Sequence, residues 1–450
     1  MNDHDYNTYS RRLFLQQGLT LASMATTAPL FIQRSALGMM RPLGSMLTSQ
    51  PGVPEDRILV VVQLGGGNDG LNTVVPYGSD DYYRARPAIA IPAPDRGQAQ
   101  QPGALKLDDS NGIGLHPNLA GFKELYDEGV ASIVQGVGYP NPNRSHFTSM
   151  DIWHTGDHSA KGYGWIGKYF DCTCNGTPVP EGAVAIGRNA PLAMQGRIQK
   201  PVTFETEELF RWLGEDVQAS LDKPYADINR GGVLADVDPD SQLGFLMRTA
   251  LDAQVSSERI RAAVARTPLV GYPGSRLAQQ LRIVSSMIRD GMNTRVYYVS
   301  MGGFDTHAGQ VRQHANLMTQ FGQAVNAFYK NLKAQGDSGR VLTMAFSEFG
   351  RRVQQNASGG TDHGTAAPMY FIGDMVRPGL LGDHPSLSDL DKGDLKFNVD
   401  FREVYTAVLE DWMKAPAAQV LGKQYRKANI LKARMPPFTV SCIINVRTLQ

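Results

Sequence analysis

Residues 294–300 (TRVYYVS) run directly into Met301-Gly302-Gly303-Phe304-Asp305-Thr306-His307, and this junction constrains the fold more than any other stretch. A short run rich in Val and Tyr reads as a buried strand. The two glycines allow a tight turn, which delivers an aspartate and a histidine just past the strand's carboxyl end. In open α/β sheets that edge is where ligands bind. The pattern recurs. Residues 57–64 (RILVVVQL) end in Gly65-Gly66-Gly67-Asn68-Asp69-Gly70, residues 341–346 (VLTMAF) end in Ser347-Glu348, and residues 368–372 (PMYFI) follow Gly360-Thr361-Asp362-His363-Gly364.

Helical periodicity fills the spaces between these strands. Residues 117–128 place Leu119, Phe122 and Leu125 at core spacing, and 275–290 do the same with Leu277, Leu281, Val284 and Ile288. A longer helix from 311 carries Met318, Phe321, Val325, Phe328 and Leu332 on one stripe, and residues 401–413 read as a last amphipathic helix. Further strands are expected at 130–135 and 183–186. Strands alternating with helices of this length imply an α/β fold with a mostly parallel central sheet flanked by helices. Residues 189–270, polar and helical in pattern, are expected as an inserted helical cap over the site.

The near balance of 44 Lys and Arg against 43 Asp and Glu leaves no basic footprint for nucleic acid or an acidic membrane surface. Three cysteines, Cys172, Cys174 and Cys442, cannot build a disulfide framework. Ser10-Arg11-Arg12-Leu13-Phe14-Leu15, followed by a short apolar stretch at 18–32, matches a twin-arginine export signal. That stretch is interrupted by Thr20 and Ser23 and is a poor membrane span. The organisation expected is a signal peptide over 1–38, a linker over 39–56, one domain over 57–435 and a C-terminal tail over 436–450. Such a chain would pass the twin-arginine translocase, reach the periplasm or exterior, and make no stable membrane insertion.

Asp69, Asp305, His307, Glu348 and His363 are thus the candidate metal ligands, all placed at strand ends. Carboxylates and imidazoles gathered at one sheet edge suit a divalent cation, Zn²⁺ or Mn²⁺ above all. One or two such ions would act on a phosphate or sulfate ester. Each residue also has an ordinary alternative: Asp305 as a helix cap, His307 bonded to a carbonyl, Glu348 paired with Arg351 or Arg352, His363 as a loop residue. The segment Asn143-Arg144-Ser145-His146 supplies the rest. Ser145 at a helix start is a candidate nucleophile with His146 as its base, or simply the N-cap. Asn143 and Arg144 are placed to bind the substrate's anionic oxygens.

With these residues in place, the chain resembles a twin-arginine-exported family of uncharacterised proteins within the alkaline phosphatase and sulfatase superfamily. The likeness is carried by SRRLFL (10–15), GGGNDGLNTVVPY (65–77), GLHPNL (114–119), GVGYPNPNRSHFTSMDIWHTG (136–156), GGFDTH (302–307), SEFGRR (347–352) and GTDHGTAAPM (360–369). It implies an alkaline-phosphatase-like fold with metal at the strand ends, Asp69 as the aspartate after the first strand, Ser145 near the nucleophile, and His363 as the last metal-binding histidine. No Cys-x-Pro-x-Arg pattern stands in the chain, which argues against a formylglycine sulfatase. The function expected is an exported metal-dependent hydrolase acting on a small-molecule or polymer ester. The same residues also suit a catalytically inactive secreted protein that keeps an ion and binds a polymer or protein.

Overall fold

The computed structural model describes residues 57–108, 110–173, 180–205 and 260–432. The export signal, the linker, most of the expected cap and the C-terminal tail lie outside these residues. In chain order the strands are β1 (Ile58–Leu64), β2 (Val74–Val75), β3 (Leu105–Asp108), β4 (Ile113–Leu115), β5 (Ala131–Gly138), β6 (Ala183–Ile186), β7 (Val202–Phe204), β8 (Val296–Met301), β9 (Val341–Phe346), β10 (Ala367–Ile372), β11 (Gly379–Leu381), β12 (Leu390–Asp391), β13 (Asp394–Leu395) and β14 (Val399–Asp400). The helices that matter to the site are α1 (Ala120–Asp127), α2 (His146–Thr155), α3 (Arg276–Arg289), α4 (Gln310–Gln335) and α5 (Phe401–Ala407).

The central sheet runs β11-β5-β10-β9-β1-β8-β6-β7, with β14 added beside β5. β1 pairs in parallel with both β8 and β9, and β6 with both β8 and β7. β10 alone reverses, pairing antiparallel with β5 and with β9. The sheet is therefore mixed and mostly parallel, flanked by helices. That reversal positions the site. Because β10 starts where β1, β5, β8 and β9 finish, the segment before it reaches the same sheet edge as the segments that follow the other four.

Alternation along β1 sends its side chains to two cores. Val60, Val62 and Leu64 pack with Phe122 of α1, Leu281 of α3 and Phe321 and Val325 of α4. Leu59 and Val61 pack on the other face with Ile152 and Trp153 of α2 and Phe401 and Val404 of α5. Each such side chain contributes about 1.5–3 kcal/mol on burial, so both faces hold the sheet edge firmly. The expected strand at 130–135 runs on to Gly138. The helix expected over 401–413 is α only to Ala407 and widens into a π turn over Val408–Trp412, and a further short helix, Ala417–Leu421, follows it. Of residues 189–270, expected to cap the site, 202–204 instead extend the central sheet beside β6. Ile260 and Val264 join the core, and 206–259 lie outside the described residues. No described helix is long and apolar enough to cross a membrane.

Candidate metal centre

The turns leaving β1 and β8 interlock. Phe304 N–H donates to Gly65 O at 3.2 Å. Gly66 has φ +117°, and a Cβ there would lie 2.5 Å from Asp305 N, so only glycine lets the two backbones pass. The buried Arg351 binds the turns together. Its guanidinium donates to Gly67 O (2.7 Å), Thr361 O (2.9 Å), Phe304 O (3.0 Å) and Gly66 O. It also donates to Asp305 Oδ1 at 2.7 Å. Loops from β1, β8 and the stretch before β10 are thus fixed by one side chain.

Three imidazoles converge on Asp305. His307 Nε2 lies 3.0 Å, His363 Nε2 3.2 Å and His146 Nε2 3.4 Å from Asp305 Oδ1. Ligand atoms of His146, Asp305 and His363 all fall within 4.8 Å of one another. Each ring is oriented through its other nitrogen. His146 Nδ1 is 2.8 Å from Glu348 Oε1, His307 Nδ1 is 3.1 Å from Asp362 Oδ1, and His363 Nδ1 is 2.8 Å from Arg144 O. All three Nδ1 partners are acceptors, so with a cation in place each Nδ1 would carry the proton and each Nε2 would present its lone pair to the ion. Metal-bound histidines are oriented in this way.

The electrostatics follow from these contacts. Burial pushes the Asp305 carboxyl up, but hydrogen bonds from Arg351 and His363 outweigh it and bring the pKa down to about 2. The bond to Glu348 raises the pKa of His146. His146 Nε2 is buried and makes no hydrogen bond among the described residues. The His146, Asp305 and His363 ligand atoms, with His307 beside them and the His146 Nε2 left without a hydrogen bond, form a donor set of the kind a divalent cation takes.

Of the five ligands expected from sequence, Asp305, His307 and His363 come together here. Asp69 does not. It is enclosed beneath the site, its Oδ2 2.6 Å from Arg86 Nη1 and its Oδ1 accepting from Asn72 N at 3.3 Å, with Gln310 Nε2 also donating to it. Asp69 is a buried ion-pair partner and caps the short helix Gly70–Thr73, and its lone pairs are already used. Glu348 is also not among the converging groups. Its Oε1 accepts from Gly66 N (2.9 Å) as well as from His146, and Ser347 Oγ donates to its Oε2 at 3.0 Å.

His146, expected as a base for Ser145, instead joins the ligand cluster. Ser145 is exposed and stands at the N-cap of α2, but its side chain makes no capping bond. Its N–H donates to Asn143 Oδ1 at 2.8 Å, so the Asn143 side chain shapes the turn into α2. The Arg144 guanidinium is held by Asp394, while its carbonyl orients His363. Sequence reading missed Asp362 and the structural reach of Arg351. The first adjoins His363 in Thr361-Asp362-His363-Gly364, and that adjacency was the available signal.

By sequence, the chain matches no curated protein. Solved structures to which it is similar include a sulfatase from Pseudoalteromonas sp., at 9% identity, covering 91% of this chain and 72% of that one with a TM-score of 0.33. The lipoteichoic acid synthase of Listeria monocytogenes gives 10% identity, 81% and 79% coverage and a TM-score of 0.34. A mutant alkaline phosphatase gives 10% identity, 68% and 64% coverage and 0.32. These overlays are loose. A family model matches residues 133–414, a span that contains His146, Asp305, His307, Glu348 and His363 and leaves out Asp69. The chain belongs to the family described as protein of unknown function (DUF1501).

Proposed function

We propose that this protein is an exported, metal-dependent hydrolase of phosphate or sulfate esters, built on an alkaline-phosphatase-like sheet. One observation carries the reading: ligand atoms of His146, Asp305 and His363 lie within 4.8 Å of one another, His307 Nε2 stands 3.0 Å from Asp305 and 2.9 Å from His363, and each ring is held through Nδ1. His146, Asp305, His307 and His363 would hold a single Zn²⁺ or Mn²⁺ ion. A two-ion site has less support, because Asp69 and Glu348 are committed to Arg86 and to His146. When bound, such an ion supplies Lewis acidity toward an ester oxygen or an attacking oxygen.

The chain's own groups do the rest. Ser145, exposed and adjacent to His146, offers a hydroxyl as nucleophile. The first N–H groups of α2 would donate to an anionic oxygen of the substrate. Asp362, Glu348 and the Arg144 carbonyl keep the three rings aimed. The arginine pair at 11 and 12 supports export by the twin-arginine route to the periplasm or beyond.

The test is elemental analysis of purified mature protein alongside assays on aryl phosphate and aryl sulfate. About one equivalent of Zn²⁺ or Mn²⁺ per chain and turnover lost in His363→Ala would support the reading. Folded protein that takes up no such ion from a metal-replete medium, and leaves both esters intact, would defeat it.

A further inference from the structure

We infer that Gln310 is a positioning residue for the imidazole cluster: its side-chain amide sets the loop carrying Asp305 and His307 against the loop carrying His363. The inference rests on the cation-binding reading above and adds a side chain that lies outside the ligand set. Gln310 is the first residue of α4 and is fully buried. Its amide reaches three separate segments. Thr306 Oγ1 donates to Gln310 Oε1 at 3.1 Å, and Thr361 Oγ1 donates to the same oxygen at 2.6 Å. Gln310 Nε2 donates to Asp69 Oδ2.

The two threonines are placed to transmit this. Thr306 stands between Asp305 and His307, and Thr361 lies two residues before His363. Their backbones also pair, with Thr361 N–H donating to Thr306 O at 3.2 Å. A Cβ at Gly360 would collide with that same carbonyl oxygen, so the loops pass in direct contact. The Nε2 atoms of His307 and His363 are 2.9 Å apart, and a tilt of either loop changes that spacing.

Chemistry fixes which way the amide points. Burial pushes the Asp69 carboxyl up, but the Arg86 guanidinium outweighs it and holds the pKa below the usual carboxylate range. An ionised carboxylate only accepts, so the NH₂ end of Gln310 faces Asp69 and its carbonyl end faces the two hydroxyls. Asp69, Thr306, Gln310 and Thr361 are all buried, so a lost bond leaves a polar atom with no water to replace its partner. Asp69 is itself held by Arg86. That ion pair is therefore the anchor to which Gln310 ties both loops.

The experiment compares Gln310→Met and Thr361→Val with the unaltered protein by two readouts. One is histidine-ring NMR of the chelated protein, and the other is Zn²⁺ affinity by competition with a chelating dye. In Gln310→Met the His307 and His363 resonances should shift while those of His154, whose ring bonds to Tyr298 and Gln63, stay in place. Zn²⁺ affinity should fall about tenfold, the low end for groups that support ligands from outside the set. Thr361→Val gives up one bond and should show both changes at smaller size, which keeps the test open if Gln310→Met does not fold. A lowered melting temperature with unmoved rings and unchanged affinity makes Gln310 an ordinary buried amide and overturns the inference. Shifted rings in a chain that takes up no Zn²⁺ uphold Gln310 and remove the metal reading. Stoichiometric Zn²⁺ at full affinity in both variants overturns the role of Gln310 and leaves the metal reading standing.

Discussion

His307 and His363 face each other with their Nε2 atoms 2.9 Å apart, although each ring already spends its Nδ1 proton on an oxygen. Two ring lone pairs at that distance repel unless a cation or a proton lies between them. Asp305 Oδ1, 3.0 Å and 3.2 Å from the same two atoms, supplies the negative charge that such a cation needs.

Replacing a coordinating ring should therefore abolish tight cation binding. His363→Ala and His307→Ala are each expected to lose stoichiometric Zn²⁺ or Mn²⁺, read by elemental analysis after dialysis. The supporting groups should matter less. Asp362→Asn and Glu348→Gln are expected to weaken affinity by about 10–100-fold, measured by competition with a chelating dye. Full affinity in Glu348→Gln would remove its assigned role.

Asp69→Asn should leave the cation count unchanged while lowering stability. Arg86→Met is the harsher change, because it strands the Asp69 carboxylate in the interior. Breaking such a buried pair costs about 3–5 kcal/mol, and a urea titration would show it. Loss of bound cation in a folded Asp69→Asn protein would restore Asp69 to the ligand set.

Gly66→Ala should be worse than its size suggests. At φ +117° with Asp305 N 2.5 Å from the added carbon, the turn cannot accept a side chain without displacing Asp305. Destabilisation of several kcal/mol together with lost cation is expected, against a milder loss for Gly129→Asn, where the backbone is also left-handed (φ +72°), a conformation asparagine adopts more readily than most residues, and nothing lies within 4 Å of the added carbon.

Acid should unfold the cation-free protein well above the carboxylate range. Burial holds His314 and His154 at about 4, below their ordinary 6.5. Between those values the unfolded chain takes up protons that the folded chain refuses, so stability is full above 6.5 and falls as pH drops toward 4. The two together amount to several kcal/mol. Urea midpoints measured across that interval on chelated protein should decline, and His314→Gln should flatten the decline.

Much of this was legible from residues alone, for an identifiable reason. Val296 to Met301 is a strand whatever surrounds it, and Gly302-Gly303 after it forces a turn, so Asp305 and His307 were fixed locally. Asp69 follows the same local grammar, but the structure does not bring it to Asp305, His307 and His363. What decides its role is Arg86, which lies in a separate loop-rich stretch and meets it only in the tertiary fold. Glu348 is likewise set by tertiary contacts, since His146 and Gly66 reach it across the sheet edge. His146 was hidden by its neighbour: a serine at a helix start drew the imidazole into a supporting role. The reversed direction of β10 left no mark in a short apolar run, because strand pattern carries period and not polarity.

Arg351 ties together segments that lie far apart in the chain. Its guanidinium closes on oxygens from the turns after β1 and β8 and from the loop before β10. A growing polypeptide that stops short of Thr361 holds Arg351, His146, Asp305 and His307 but lacks the Thr361 carbonyl that Arg351 grips and the His363 ring, so the cluster is incomplete. On the proposed reading, a cation site would be complete only once β10 has slotted between β5 and β9.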